Sequence, residues 1–281
     1  MLRSTLRVLG RRDVEEALGV CSRDIVANLF VASRLRGQRL DGRGGELWGW
    51  YVDDRLVSLC WSGANLVPVE ATAGAVEAFA ARARRLGRQC SSIVGPAAAT
   101  LALWNQLRPY WGAAREIRER QPLMAMGTDP LVSPDPRVRR SSTEELELVI
   151  PACVAMFTEE VGYSPVAVDG GAVYHAQVAA LVTSGRSFVR IDETEHGPVV
   201  VFKAELGSVT PEAVQVQGVW VNPAFRGRGL AASGMAAVVA ISQAELAPVV
   251  SLYVNDFNVR AIRAYERVGF REVGSYATVL F

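Results

Sequence analysis

Two short stretches hold the residue types in this chain that could do chemistry together. The first runs from Gln215 to Ala232 and reads V-x-G-V-W-V-N-P-A-F-R-G-R-G-L-A-A from Val216. An apolar strand stops at Asn222-Pro223, and the chain turns through Arg226-Gly227-Arg228-Gly229 into a small-residue helix that starts near Leu230. Glycines allow a tight turn whose amides converge, a helix start offers unpaired N–H groups, and the two arginines add charge. Such a turn would stabilise an anion such as a pyrophosphate. Taken alone it reads equally well as an ordinary strand-to-helix connection.

Other anion-binding patterns fit less well. Gly227-Arg228-Gly229-Leu230-Ala231-Ala232 satisfies G-x-G-x-x-G/A, but a dinucleotide fold needs strand, turn and helix in immediate succession, and Asn222 to Phe225 intervene here. No Gly-Lys-Ser/Thr follows the turn, which excludes the phosphate loop of nucleotide hydrolases. The second stretch, Ser251 to Phe270, is a strand (Val249 to Val254) that leads through Asn255-Asp256 into a helix with Asn258, Ala261 and Tyr265, closed by Gly269-Phe270. With both stretches in this order, the chain resembles the GNAT superfamily of acyl-coenzyme A dependent N-acyltransferases. The first matches that family's pyrophosphate motif and the second its Asn-Ala-Tyr-Gly-Phe helix. The resemblance covers roughly Arg137 to Phe281.

The elements that must position these stretches are read from periodicity. Ser4 to Leu9 and the hairpin Leu47–Val52/Leu56–Trp61 around Asp53-Asp54 read as strands, with another near Asn65 to Val69. Asp13 to Leu18, Asp24 to Leu35, Thr72 to Leu86 and Ala97 to Leu107 read as helices, with strands at Ser91 to Val94 and Leu123 to Met126. Asp41-Gly42-Arg43-Gly44-Gly45 is a breaker. The second half repeats the order. It has a short strand at Val138-Arg139, a helix from Thr143 to Glu160 with capping-box pairs Ser141/Glu144 and Ser142/Glu145, a helix from Ala172 to Thr183, and strands at Ser187–Ile191 and Val199–Leu206. Between the halves, Thr128 to Arg140 carries prolines 130, 134 and 136 and reads as a linker.

The expected fold class is therefore α/β (α+β): two GNAT-like domains in tandem, each a mixed, mostly antiparallel sheet flanked by helices. The expected domains are residues 1–130 and 137–281. In the first half the position of the anion turn reads Leu66-Val67-Pro68-Val69-Glu70-Ala71-Thr72-Ala73-Gly74, with no Arg-Gly-x-Gly and with a carboxylate where a phosphate would come. That half is expected to lack coenzyme binding and to serve as a substrate wall or docking surface.

Composition narrows the partners. Thirty basic against twenty-nine acidic residues give a net charge of +1, which argues against nucleic acid as the main partner. Local clusters such as Arg34-Leu35-Arg36 read as solvated helix faces. Cys21, Cys60, Cys90 and Cys153 have neither C-x-x-C spacing nor a neighbouring histidine, so no metal site and no disulfide are expected. Met1-Leu2-Arg3 does not open a signal-peptide run and no apolar stretch approaches a membrane span, so a cytoplasmic protein is expected. His175 and His196 read as structural or surface residues.

What the resemblance implies is specific. Acetyl-coenzyme A would be the co-substrate, its arm pairing with the backbone of Val219, Trp220 and Val221. Its pyrophosphate would be wrapped by Arg226, Gly227, Arg228, Gly229, Leu230, Ala231 and Ala232, and Asn258 would hydrogen-bond the arm. Tyr265 would protonate the departing thiolate, and backbone N–H groups of the strand would stabilise the oxyanion formed when a neutral amine attacks the thioester. The family's general-base positions hold Tyr253, Gln215 and Gln217, none of which is a base. Glu205, Asp256 or a water relay are the substitutes. The acceptor would be a primary amine, either a small molecule, as in aminoglycoside-type modifiers, or a peptide N-terminus. The alternative is a non-catalytic acyl-coenzyme A sensor or scaffold. The oligomeric state is open.

Overall fold

The computed structural model describes residues 3–37, 44–167 and 170–281. Met1 and Leu2, and most of the expected breaker at 41–45, lie outside the described residues. In chain order the elements are β1 (Ser4–Leu9), α1 (Val14–Cys21), α2 (Leu29–Gly37), β2 (Glu46–Val52), β3 (Arg55–Ser62), β4 (Asn65–Val69), α3 (Ala73–Leu86), β5 (Ser92–Pro96), α4 (Ala97–Trp111) and β6 (Glu116–Met126). Then follow β7 (Arg139–Arg140), α5 (Leu146–Val161), α6 (Ala172–Thr183), β8 (Ser187–Thr194), β9 (Gly197–Val209), β10 (Ala213–Val221), α7 (Leu230–Glu245), β11 (Val249–Tyr253), α8 (Val259–Val268) and β12 (Arg271–Leu280). The order of strand and helix from β1 to β6 recurs without change from β7 to β12.

The chain packs as two compact units. Unit 1 gathers the described residues up to Met124 together with Tyr253–Asn258 and Glu272–Phe281; unit 2 holds Ala125–Leu252 and Val259–Arg271. In unit 1, β1 to β4 run antiparallel, β5 lies parallel to β4, and β12 pairs antiparallel with β5. The side-chain period of two divides its core. Leu47, Leu59, Trp61 and Val69 pack under α1 and α2, whereas Trp48, Cys60 and Ile93 pack with Phe79 and Leu103 of α3 and α4. The β2–β3 turn places Asp53 and Asp54 at φ +46 and +59, the pair of left-handed residues that a tight hairpin requires.

This packing differs from a cut between residues 130 and 137. β12 follows unit 2 in sequence but completes the sheet of unit 1, Tyr276 opposite Pro96 and Leu280 opposite Ser92, with Ala277 and Val279 fully buried. Without it the β5 edge would be unpaired. β6 also begins earlier than Leu123, because its charged start alternates and pairs: Arg118 bonds Glu116 at 2.8 Å and Arg120 bonds Glu272 at 2.6 Å.

In unit 2, β7, β8, β9 and β10 are successively antiparallel and β11 is parallel to β10. α5 and α6 cover one face through Val149, Cys153, Val178 and Val182, packed on Val189, Val200 and Trp220. α7 covers the other. There a Cβ on Gly234 would come within 2.7 Å of the Phe202 ring, so only glycine lets the helix lie this close. The proline-rich linker is docked on this unit. The Leu131 N–H bonds the Val268 carbonyl at 2.8 Å, the Asp135 N–H bonds the Ser233 carbonyl at 3.0 Å, and the buried Asp135 carboxylate accepts from Arg190 at 2.8 Å. Ahead of α5, Ser142 and Glu145 form the expected cap, the Glu145 carboxylate accepting from the Ser142 N–H at 2.8 Å. No helix among the described residues is long and apolar enough to cross a membrane.

Candidate active site

The site of unit 2 begins where its sheet opens. β10 pairs with β11 only over Ala213–Gln215 against Val249–Ser251. From Val216 to Val221 the strand continues with β9 on one side and, among the described residues, no strand partner on the other. Backbone groups of Val219, Trp220 and Val221 therefore lie on a strand edge, as a pantetheine-like arm would require. The edge is bent. Gln217 lies opposite Glu205 and Trp220 opposite Lys203, so that Gly218 and Val219 together face Ala204, and Gly218 takes φ +58. This is a glycine β-bulge, which raises the local twist and turns a peptide out of the ladder.

Beyond β10 the chain makes the anion turn. Asn222 closes it from within, its side chain accepting from the Ala224 N–H at 3.1 Å, and Pro223–Phe225 form a single 3-10 turn. Gly227 and Gly229 stand at φ +79 and +78, and a Cβ on either would meet no protein atom within 4 Å. Gly229 is the N-cap of α7, and no side chain caps that helix. Leu230, Ala231 and Ala232 form its first turn; the Ala232 N–H turns back to the Gly229 carbonyl at 3.1 Å, while those of Leu230 and Ala231, as at any helix start, have no carbonyl a turn earlier to bond.

The two arginines are differently held. Arg226 donates to the Glu159 carboxylate at 2.7 Å and to the Val221 carbonyl at 3.0 Å. Arg228 reaches the Ala224 carbonyl at 3.5 Å, with its guanidinium 5.2 Å from the centre of the Phe225 ring. The hydrogen bond from Arg226 holds the Glu159 carboxyl below its usual range, with a further bond from the Trp220 indole N–H at 3.2 Å.

Tyr265 lies in α8, 7% exposed, with its ring edge-on to Phe270 at 6.0 Å. Burial, with a smaller contribution from Glu160, raises its phenol pKa, so the hydroxyl stays protonated across the neutral range. Asn258 immediately precedes α8 in sequence but packs with unit 1, where its N–H bonds the Asn255 carbonyl at 2.9 Å. Asp256 and Tyr253 also pack with unit 1 and are exposed. Among the base candidates Glu205 is the one buried in unit 2, and it is already engaged: Lys203 Nζ lies 2.6 Å from its Oε1.

Three features of this site escaped the reading of the sequence, namely the Gly218 bulge, the Lys203–Glu205 pair and the Glu159 partner of Arg226. An isolated glycine inside a strand pattern was the available signal for the first. Among the described residues no group of His, Cys, Asp or Glu side chains could hold a metal ion, and all four cysteines are free and buried.

Comparison with known proteins gives a family match for part of the chain and a likeness of fold for all of it. Residues 180–270 match the model of the Acetyltransferase (GNAT) family, and residues 45–149 match a domain of unknown function, DUF4081. No curated protein matches. A GCN5-related N-acetyltransferase from Sphaerobacter thermophilus is 15% identical with a TM-score of 0.63, covering 98% of this chain and 94% of that one. A tandem GNAT protein from the clavulanic acid biosynthesis pathway is 14% identical with a TM-score of 0.58, covering 99% and 98%. A GNAT-family acetyltransferase from Colwellia psychrerythraea is 14% identical with a TM-score of 0.55, covering 99% of each chain. At these identities the likeness is one of fold: a tandem GNAT architecture over the full chain.

Proposed function

We propose, since residues 180–270 match the model of the Acetyltransferase (GNAT) family, a family of acetyl-CoA dependent acyltransferases, that unit 2 binds acetyl-CoA and transfers its acetyl group to a primary amine of low pKa. The start of α7 carries this reading. Two left-handed glycines with open space beside them precede an uncapped helix, flanked by two arginines. Converging N–H groups and guanidinium groups suit an anion such as a pyrophosphate.

When bound, acetyl-CoA supplies a thioester carbonyl open to attack by a neutral amine, with the coenzyme thiolate leaving. The chain's own residues do the rest. The Val219–Val221 edge offers N–H and C=O groups to the arm, and Gly227 to Ala232 with Arg226 and Arg228 hold the diphosphate. Tyr265, kept protonated by burial, donates to the departing sulfur and is reprotonated, through solvent water, by the proton that the attacking nitrogen loses, so that the amine's proton ends on the thiol; a phenol does this only over a short, fixed path. Glu205 Oε1 is already engaged by Lys203 Nζ at 2.6 Å and by Cys153 Sγ at 3.3 Å, so on this reading unit 2 relies on amine that is already neutral in solution.

That reliance selects the acceptor. An α-amino group of pKa ~8 is roughly a tenth neutral at neutral pH, whereas a lysine of pKa ~10.4 is neutral about once in several thousand molecules. A peptide N-terminus or a small low-pKa amine is therefore the expected substrate. The test is thiol release between pH ~6.5 and ~9, a range that spans the α-amino pKa. A lysine-free peptide with a free N-terminus competes against an N-blocked peptide with one lysine. The first should win at low pH. Preference for the lysine peptide there would mean that a base exists, and coenzyme binding without thiol release from any amine would leave a sensor or scaffold.

A further inference from the structure

The most buried run of β9 carries two charges: Lys203 is 0% exposed and Glu205 6%. Lys203 Nζ lies 2.6 Å from Glu205 Oε1 and donates to the Gly218 carbonyl at 3.1 Å. Cys153 Sγ donates to the same Glu205 oxygen at 3.3 Å, and the Tyr174 hydroxyl donates to the Cys153 carbonyl at 2.9 Å. Burial pushes the Cys153 thiol up to about 12, so it serves as a donor and is not a nucleophile. A buried ion pair is a poor source of stability, because the cost of desolvating two charges offsets their attraction. Its position points to another role.

The pair lies directly beneath the bulge. A Cβ on Gly218 would sit 3.1 Å from both Lys203 Nζ and Glu205 Oε2 and 3.2 Å from Met156 Cε, so a side chain there would crowd the pair as well as strain the backbone at φ +58. The Gly218–Val219 peptide is trans, and in a planar trans peptide the C=O of one residue and the N–H of the next point in opposite directions. Lys203, by holding the Gly218 carbonyl, turns the Val219 N–H away from itself. On the side away from β9, β10 has no strand partner at this point among the described residues.

We propose that Lys203, itself fixed by Glu205, is a positioning residue: it locks the Gly218–Val219 peptide so that the Val219 N–H is presented to the carbonyl oxygen of the bound thioester. This rests on the acetyl-CoA reading of unit 2. The ammonium stays on the far side of the peptide and touches no reacting atom. Its effect is to make the N–H a pre-oriented donor, which needs no reorganisation when charge develops on the oxygen.

The test uses the full chain and acetyl-CoA labelled with carbon-13 at the carbonyl, read by isotope-edited infrared spectroscopy. The bound carbonyl band of the wild type should fall below that of free acetyl-CoA, because a directed N–H polarises it. In Lys203→Met the band should move back towards the free position. kcat should drop by roughly tenfold or more, less than the ~10²–10³ lost when an oxyanion donor is removed outright. Coenzyme Kd should stay within about threefold, since an interaction made mainly in the transition state leaves ground-state binding alone. Lys203→Met combined with Glu205→Leu removes the unpaired carboxylate and should behave the same way. A double variant that keeps the wild-type band and kcat overturns the proposal, as does failure of both variants to fold, which would make the pair structural. A wild type that binds acetyl-CoA with an unshifted band overturns the proposal alone; a wild type that binds none removes the acetyl-CoA reading as well.

Discussion

The start of α3 in unit 1 and the start of α7 in unit 2 occupy the same place in the same plan. Each follows a strand that pairs in parallel with the next strand over its first residues only: Asn65–Leu66 with Ser92–Ile93, and Ala213–Gln215 with Val249–Ser251. Each is entered through a left-handed residue. In unit 1 that residue is Glu70 at φ +48, its carboxylate bonded by Asn28 at 2.9 Å, and the helix is then capped by Thr72, whose side chain accepts from the Ala75 N–H at 3.3 Å. In unit 2 it is Gly229, with no side chain at all. One helix start is closed by a hydroxyl and fronted by a negative charge; the other is open and fronted by two arginines. The backbone provides the position, and the few residues before the helix decide whether an anion can use it.

The largest effect should come from closing the open end. Gly229→Val puts a branched side chain into space that no protein atom occupies, at a φ of +78 that β-branched residues avoid. Acetyl-CoA affinity should fall at least ~100-fold, about 2.7 kcal/mol, measured by calorimetric titration. The opposite change at the other end, Thr72→Gly, opens α3 but leaves Glu70 in front of it, and should not create a second binding event. Retained micromolar affinity in Gly229→Val would dissolve the contrast between the two helix starts.

The second effect falls on turnover. Tyr265→Phe should lower kcat by ~10- to 100-fold, at or below the low end of the ~10²–10⁴ typical of general acids, with coenzyme Kd unchanged. Steady-state thiol release read beside a binding titration separates the two. An unchanged kcat would assign the buried ring to packing against Phe270 alone.

Much of this contrast was legible in the sequence, because it is local. Arg-Gly-Arg-Gly before a small-residue helix, Glu70 in the other half, and the bounds of α6 from Ala172 to Thr183 all follow from residues within one or two turns of each other. What was not legible depends on contacts far apart in the chain. β12 reads as a continuation of the second half, and only the unpaired edge of β5, many residues earlier, explains why it joins unit 1. Lys203 in V-V-V-F-K-A-E-L looks like half of an alternating strand. Nothing in its neighbours shows that its acceptor is the carbonyl of a glycine in the next strand. The prolines of residues 128–140 read as a linker, whereas the segment packs within unit 2, held through Asp135 to Arg190, which its own sequence does not show.

A third effect concerns stability alone. Thr72→Ala removes the hydroxyl that caps α3 and should cost about 1 kcal/mol in unfolding free energy, seen as a lower denaturant midpoint. Coenzyme affinity should not change. A Kd that rose in step with the lost stability would mean that the α3 cap supports the coenzyme site, and the two helix starts could not be treated as independent.

The smallest effect sharpens the comparison most, because it involves a carboxylate that fronts the open helix as well. Glu159 bonds Arg226 at 2.7 Å with the two side chains 50% and 43% exposed, so the pair competes with a bound diphosphate for the same guanidinium. Exposed pairs of this kind contribute ~0–1 kcal/mol. Glu159→Gln keeps an oxygen for the Trp220 indole N–H but removes the charge, so acetyl-CoA should bind about two- to fivefold more tightly at low salt, the gain shrinking as salt screens the freed arginine. The same substitution should remove a small acid dependence of stability. The Glu159 carboxyl is held low by Arg226, so its contribution is present above the ordinary carboxylate pKa and lost as pH falls through the lowered value. Unchanged or weaker binding in Glu159→Gln would mean that Arg226 does not face the anion. The charge at the open helix start would then come from Arg228 and the backbone alone.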